Sequence, residues 1–217
     1  MPISDAFDLM VFDLDGTLVD SQYDLADAVN HAMAQMGKPP LTYEELPPLL
    51  GSGLGYLLEQ AAGTDDPGVI QRAKEHFDAY YEDHFVDKTR LYPGVMDTLQ
   101  ALKGCNKAIY SNKLQYFTER IADELQLTPL MDVVQGAQPE LYALKPSPEG
   151  LHRILRKLQV PAERALMVGD STHDMEAGKA AGMKTCAMTY GYRPAAVLQA
   201  EGPDYIFDRF SDLCARK

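Results

Sequence analysis

The chain has 217 residues, 46% of them hydrophobic, and a formal charge of −12 from 32 acidic against 20 basic side chains. That apolar content is ample for one large domain, or one domain carrying an insertion, and the acidic surface argues against nucleic acid and anionic lipid as partners. No run approaches the ~20 apolar residues of a membrane span, and Met1-Pro2-Ile3-Ser4-Asp5 has neither a basic start nor a long apolar stretch. Cys105, Cys186 and Cys214 lack the spacing of a disulfide framework or a zinc site, so a cytoplasmic protein with reduced thiols and no membrane contact is expected.

The first element is an apolar run, Leu9-Met10-Val11-Phe12, that ends in Asp13-Leu14-Asp15-Gly16. A run without polar alternation suits a central parallel strand covered on both faces, and Gly16 lets the chain turn sharply away. Period-2 geometry would project Asp13 and Asp15 together from the carboxyl end, where open α/β sheets bind ligands. Asp20 or Ser21 can cap a helix with apolar positions Leu25, Ala28, Val29, Ala32, Met33 and Met36, stopped by Gly37 and Pro39-Pro40. Leu41 to Leu50, Leu54 to Ala62 and Val69 to Phe85 read as further helices, separated by Pro47-Pro48, Gly51-Ser52-Gly53 and Gly63 to Gly68. An all-helical block over 20–90, flanked by residues 1–19 and 91–217 of an α/β frame, reads as an inserted cap domain.

Tyr92-Pro93-Gly94 restarts the frame. A helix is expected over Val95 to Leu102, a strand over Lys107 to Asn112, a helix over Tyr116 to Leu125 and a short strand over Met131 to Val134. Pro148 opens a helix with Leu151, Ile154, Leu155 and Leu158 as its buried stripe. Ala165 to Val168 is a strand running into Gly169-Asp170, and Thr172 to Ala181 is a helix. Lys184 to Met188 and Tyr205 to Phe207 are the last two strands. Strands alternating with helices require parallel pairing and right-handed crossovers, which gives a Rossmann-like three-layer α/β/α core.

Polar groups recur at the strand tips: Asp13 and Asp15, Ser111-Asn112, and Asp170 with Asp174, joined by Lys145 in Leu144-Lys145-Pro146-Ser147-Pro148. In a parallel sheet such tips share one edge. The run Asp13-Leu14-Asp15-Gly16-Thr17-Leu18-Val19-Asp20-Ser21 resembles the first motif of the haloacid dehalogenase superfamily. Ser111-Asn112, Lys145 and Gly169-Asp170-Ser171-Thr172-His173-Asp174 resemble its second, third and fourth motifs in order, closest to the phosphoglycolate phosphatase-like branch.

The resemblance implies a phosphatase acting on a small phosphorylated metabolite. Asp13 would be the nucleophile, Asp15 the general acid and base, and Lys145 the neutralising cation. Leu14, Gly16, Thr17, Ser111, Asn112 and Lys145 would hold the phosphate. Mg²⁺ would be bound by Asp13, the Asp15 backbone carbonyl and Asp170, with Asp174 ligating directly or through water. As the acid, Asp15 would face away from the metal. Lys113 matches a lysine frequent after the second motif, without an assigned role, and Gly51-Ser52-Gly53 is either a loop closing over the site or a flexible interhelix turn. His173, His31, His76, His84 and His152 are read as surface or packing residues.

Two rivals stay open: a sugar-phosphate mutase of the same superfamily, which needs a cap His and Lys, and a binding or regulatory protein that kept the fold. Residues 20–90 hold five basic residues against thirteen acidic ones, a poor general receptor for a substrate carboxylate. Phosphoglycolate is therefore the family's suggestion alone. Monomer and homodimer are both compatible with the sequence.

Overall fold

The structure, a computed structural model, describes residues 6–214. The N-terminal residues Met1 to Asp5 used in the localisation argument lie outside the described residues. Strand β1 is Leu9–Phe12, wholly buried. It lies at the centre of a six-stranded sheet of order β5-β4-β1-β6-β7-β8, with β4 Asn106–Leu114, β5 Val133–Ala137, β6 Ala165–Gly169, β7 Lys184–Met188 and β8 Tyr205–Phe207. Every pairing in that sheet is parallel.

Alternation along the strands makes the layers. Met10 and Phe12 of β1 and Leu166 and Val168 of β6 enter one apolar cluster, with Leu99 of α4 (Val95–Ala101) and Ile121 of α5 (Gln115–Glu124). Leu9 and Val11, with Ala165 and Met167, enter the other, with Leu151 and Ile154 of α6 (Glu149–Leu158) and Ala177 of α7 (Thr172–Ala180). Helices thus cover both faces, as a buried parallel sheet requires. From β1 the sheet grows outward through β4 and β5 on one side and through β6, β7 and β8 on the other. That is a topological switch point at the carboxyl ends of β1, β4 and β6.

Between β1 and β4 the chain forms α1 (Gln22–Gln35), α2 (Leu54–Ala62) and α3 (Pro67–His84). Pro67 sits at the first turn of α3, and the Asp66 side chain accepts hydrogen bonds from the amides of Gly68 and Val69. The block leaves and re-enters the frame through a two-stranded antiparallel pair, β2 (Val19–Asp20) with β3 (Arg90–Leu91). Buried Asp24 of α1 closes the return, accepting from the amides of Lys88 and Thr89 and from the Thr89 hydroxyl.

Several expectations are corrected. Leu41 to Leu50 is not an α-helix: it holds turns and one short 3₁₀ segment, Pro47–Leu49, because Pro47 and Pro48 remove two backbone donors in succession. The pair β2–β3 and the helix α8 (Ala195–Ala200) were not expected, and β5 starts and ends later than the apolar run at Met131 to Val134 suggested. Ser21 is the N-cap residue of α1 but makes no side-chain cap bond. Its hydroxyl is drawn to Asp15 instead. No helix among the described residues is long and apolar enough to cross a membrane, and no disulfide joins the described cysteines.

Candidate active site

The tips of β1, β4 and β6 bring Asp13, Ser111, Asn112, Asp170 and Asp174 to one edge, and the loop before α6 adds Lys145. All six are buried. Asp13 extends β1 by one hydrogen bond, its amide donating to Val168 O at 2.9 Å. Its Oδ1 lies 2.9 Å from Lys145 Nζ, and the same ammonium lies 2.7 Å from Asp174 Oδ1 and donates to Tyr110 O at 3.1 Å. A lysine has three donors, so each Nζ proton has a partner and the ammonium is held without freedom to rotate. Asn112 fixes the lysine's backbone: its Oδ1 accepts from Lys145 N at 2.9 Å, and its Nδ2 donates to Lys145 O at 3.0 Å and to Gly51 O at 2.9 Å. The Asn112 side chain is therefore committed to the scaffold.

Asp174 serves two tasks. Its Oδ2 accepts from the amide and hydroxyl of Ser171, completing a capping box at the start of α7, while Oδ1 faces Lys145. Asp170 accepts from the Thr17 hydroxyl at 2.7 Å and the Tyr192 amide at 2.8 Å. Gly16, at φ +84°, lies so close that a Cβ there would stand 2.3 Å from Asp170 Oδ2. No other residue fits that turn.

Carboxylate oxygens of Asp13, Asp170 and Asp174 lie within 4.8 Å of one another. Burial, and next the charge of Asp174, push the Asp13 carboxyl well above its ordinary range although Lys145 opposes them. Burial and then Asp174 raise Asp170 to about 7, against the hydrogen bonds from Tyr192 and Thr17. Burial works to lower the Lys145 pKa, but Asp13 and Asp174 outweigh it and hold it above the usual lysine value. Three buried carboxylates facing one ammonium leave negative charge uncompensated, and hard oxygen donors in that arrangement suit a small divalent cation. The residues present fit a metal.

Asp15 faces the same cavity as Asp13 but stays out of its carboxylate cluster, since β1 ends at Phe12 and the period-2 rule stops with it. Its carboxylate lies outside the triad: Oδ1 accepts from Ser21 Oγ at 2.5 Å and faces Lys113 Nζ at 3.3 Å. The turn after Asp13 is closed on itself. Leu14 N donates to Asp13 Oδ1, Gly16 N to Val19 O and Thr17 N to Leu14 O. Those amides, expected to hold phosphate, are engaged within the turn here, and the Thr17 hydroxyl buttresses Asp170.

A cavity of about 440 Å³ opens between this edge and the helical block, with Asp13, Asp15, Ser111, Asn112 and Lys113 on one wall and Gly51-Ser52-Gly53, Leu54, Leu58, Phe77 and Tyr81 on the other. The loop at Gly51 is tied down by Asn112, and Arg193 donates to Pro47 O at 2.9 Å and Leu50 O at 2.8 Å. Tyr81, Tyr192 and Arg193 escaped the sequence reading. A cue was available for the last two, since Tyr190-Gly191-Tyr192-Arg193 follows the predicted strand Lys184 to Met188 and so belongs to the same carboxyl edge. Of the histidines, His84 pairs with Asp87 at 2.8 Å and stacks on Tyr80, as does His31. Nδ1 of His173 is buried with no hydrogen-bond partner among the described residues.

Comparison with known proteins matches residues 10–188 to the haloacid dehalogenase-like hydrolase family. A phosphoglycolate phosphatase of Aliivibrio fischeri is 37% identical over 95% of this chain and 95% of its own, and phosphoglycolate phosphatase 1 of Pseudomonas aeruginosa is 36% identical over 94% of this chain and 78% of its own. The crystal structure of a predicted phosphoglycolate phosphatase from Haemophilus somnus superposes with a TM-score of 0.88 at 31% identity, covering 96% of both chains. With the four motifs gathered at one sheet edge and a family match that spans most of the sequence, the chain belongs to the haloacid dehalogenase-like hydrolases.

Proposed function

We propose that the chain is a Mg²⁺-dependent phosphatase that hydrolyses a small phosphomonoester through an aspartyl phosphate on Asp13. The observation that carries this reading is Asp13 itself: a buried carboxylate at the tip of the central strand, 2.9 Å from a buried ammonium and beside two further acids. A carboxyl buried in such a cluster is costly for stability and is the mark of a functional site.

An oxygen of Asp13 attacks phosphorus in line with the leaving oxygen, while Lys145 and Ser111 stabilise charge on the equatorial oxygens. Asn112 and Tyr110 O hold Lys145 in place, so that charge is preorganised. Asp15 protonates the leaving alkoxide and afterwards takes the proton of the water that cleaves the acyl phosphate. Asp13, Asp170 and the Asp15 carbonyl would hold the metal, with Asp174 behind them. When bound, Mg²⁺ supplies Lewis-acid neutralisation of the transferring phosphoryl group. Leu14, Gly16 and Thr17 remain part of the proposed phosphate cradle, which requires their turn to loosen as substrate enters. The block over 20–90 acts as a cap, with β2 and β3 as its hinge.

2-Phosphoglycolate is the proposed substrate, supported by the names of the relatives. The mutase reading gains no support, since no histidine among the described residues lines the cavity. The test is phosphate release from a panel of phosphomonoesters with and without Mg²⁺, ranked by specificity constant. Release that needs Mg²⁺ and stops with EDTA supports the reading, and no release from any ester overturns it.

A further inference from the structure

The mechanism above uses Lys145 on Asp13 and leaves Lys113 without a task, although Lys113 is equally unusual. Its side chain is only 8% exposed, and Nζ lies 3.3 Å from Asp15 Oδ1 and 3.1 Å from the Tyr81 hydroxyl. A buried ammonium is costly unless it faces charge and hydrogen-bonding oxygen. Burial acts to lower the Lys113 pKa, but Asp15 and then Tyr81 outweigh it, so the group stays protonated.

Tyr81 is not a passing contact. It belongs to α3 of the helical block, is 1% exposed, and its ring packs 5.1 Å from Phe77 of the same helix and 4.9 Å from Phe117 of α5 in the frame. Ser21 supplies the other bond to Asp15 Oδ1, and its backbone amide donates to the Tyr192 hydroxyl at 3.0 Å. The tip of β4 and the start of α1 therefore converge on one carboxylate oxygen, the loop after β7 holds Ser21 in place, and a side chain of α3 braces the lysine. Asp15 Oδ2 has no hydrogen-bond partner among the described residues, and Asp15 lines the cavity.

We infer that Lys113, braced by Tyr81, is a positioning residue for the acid–base carboxyl: it pins Asp15 Oδ1 so that Oδ2 presents its proton to the leaving oxygen. The inference rests on the acid–base role proposed for Asp15. As the phosphorus–oxygen ester bond breaks, its electron pair goes to the leaving oxygen, which takes the Oδ2 proton while Asp13 forms the new bond to phosphorus. Asp15 is left as a carboxylate beside a lysine that is protonated throughout, and Coulomb attraction across 3.3 Å in a buried site stabilises that product state. Because the brace comes from the helical block, the acid is fully placed only with that block seated on the frame.

The experiment reads kcat/KM, which reports the first phosphoryl transfer, for phenyl, 4-nitrophenyl and 2,4-dinitrophenyl phosphate with Mg²⁺. The first leaving group needs a proton and the last does not. Lys113→Met should lose about 100-fold on phenyl phosphate and no more than a few-fold on dinitrophenyl phosphate, within the range a general acid contributes. Lys113→Arg should recover part of the loss, and Tyr81→Phe, which removes one oxygen from a packed ring, should show the same trend at about 5-fold. Equal losses on all three esters in both Lys113→Met and Tyr81→Phe would reduce these residues to a structural role and overturn the inference. If the wild-type protein releases phosphate from none of the phosphomonoesters in the panel above, the three aryl esters included, the phosphatase reading itself falls, a result visible before any variant is made.

Discussion

The sheet edge and the helical block face each other across one cavity, yet they are built on opposite plans. On the edge, Asp13, Lys145, Asp170 and Asp174 are ionisable, buried and joined by short hydrogen bonds to one another and to backbone carbonyls and amides of the sheet and its loops. Across the gap the block offers mainly apolar side chains, Leu54, Leu58, Phe77 and Tyr81 among them, and a glycine-flanked loop. The block touches the edge through separate contacts: Asn112 to Gly51 O, Arg193 to Pro47 O and Leu50 O, and Lys113 to Tyr81. On the proposed reading, the chemistry sits on a scaffold held by the parallel sheet, and substrate choice falls to the block across the cavity.

The difference predicts a descending series of effects. Asp13→Asn should lower turnover by at least about 10⁴-fold, as loss of a nucleophile does. Its thermal midpoint should stay level or rise, since the substitution removes one of three crowded buried carboxylates. Activity and melting measured on one preparation check both halves. Lys145→Met should do the reverse to stability, because it strands Asp13 and Asp174 without their ammonium. A loss of about 3–5 kcal/mol is expected by denaturant titration.

Metal binding should raise the melting temperature, by about 2.7 kcal/mol of stability at a hundredfold excess over Kd, and EDTA should return it. Asp170→Asn should flatten that response. Smallest is Arg193→Ala, which frees the carbonyls of Pro47 and Leu50. Losing a charged donor is worth about 1.5 kcal/mol, so KM should rise roughly tenfold while kcat stays within a few-fold. A collapse of kcat in this variant would erase the proposed division of labour between edge and block.

The same division explains what could be read from the residues alone. Leu9 to Phe12, Ala165 to Val168 and Lys184 to Met188 announce themselves because a buried parallel strand must be apolar throughout, and their polar tips then share an edge by topology. Asp13 and Asp170 were legible for that reason, whereas Lys145 and Asp174 were legible only through the resemblance of their motifs to those of the family. Leu41 to Leu50 misled, since apolar spacing suggested a helix that Pro47 and Pro48 forbid. Ser21 misled in another way: a good capping residue turns its hydroxyl to the partly buried Asp15, since a carboxylate accepts more strongly than a helix terminus attracts it. Tyr81 left no local signal, as its partner Lys113 is 32 residues distant, and for Arg193 the sequence offered its place after a strand but not its partners, more than 140 residues away.

The central claim is that residue 13 takes up the phosphoryl group. Mixing the Mg²⁺-loaded enzyme rapidly with a radiolabelled phosphomonoester that it turns over, then quenching in acid and mapping the label by peptide, tests this without intermediaries. The account predicts label on the peptide that contains Asp13, formed at the rate of the first transfer and absent in Asp13→Asn. Turnover that leaves the protein unlabelled, or places the label on another residue, would contradict it.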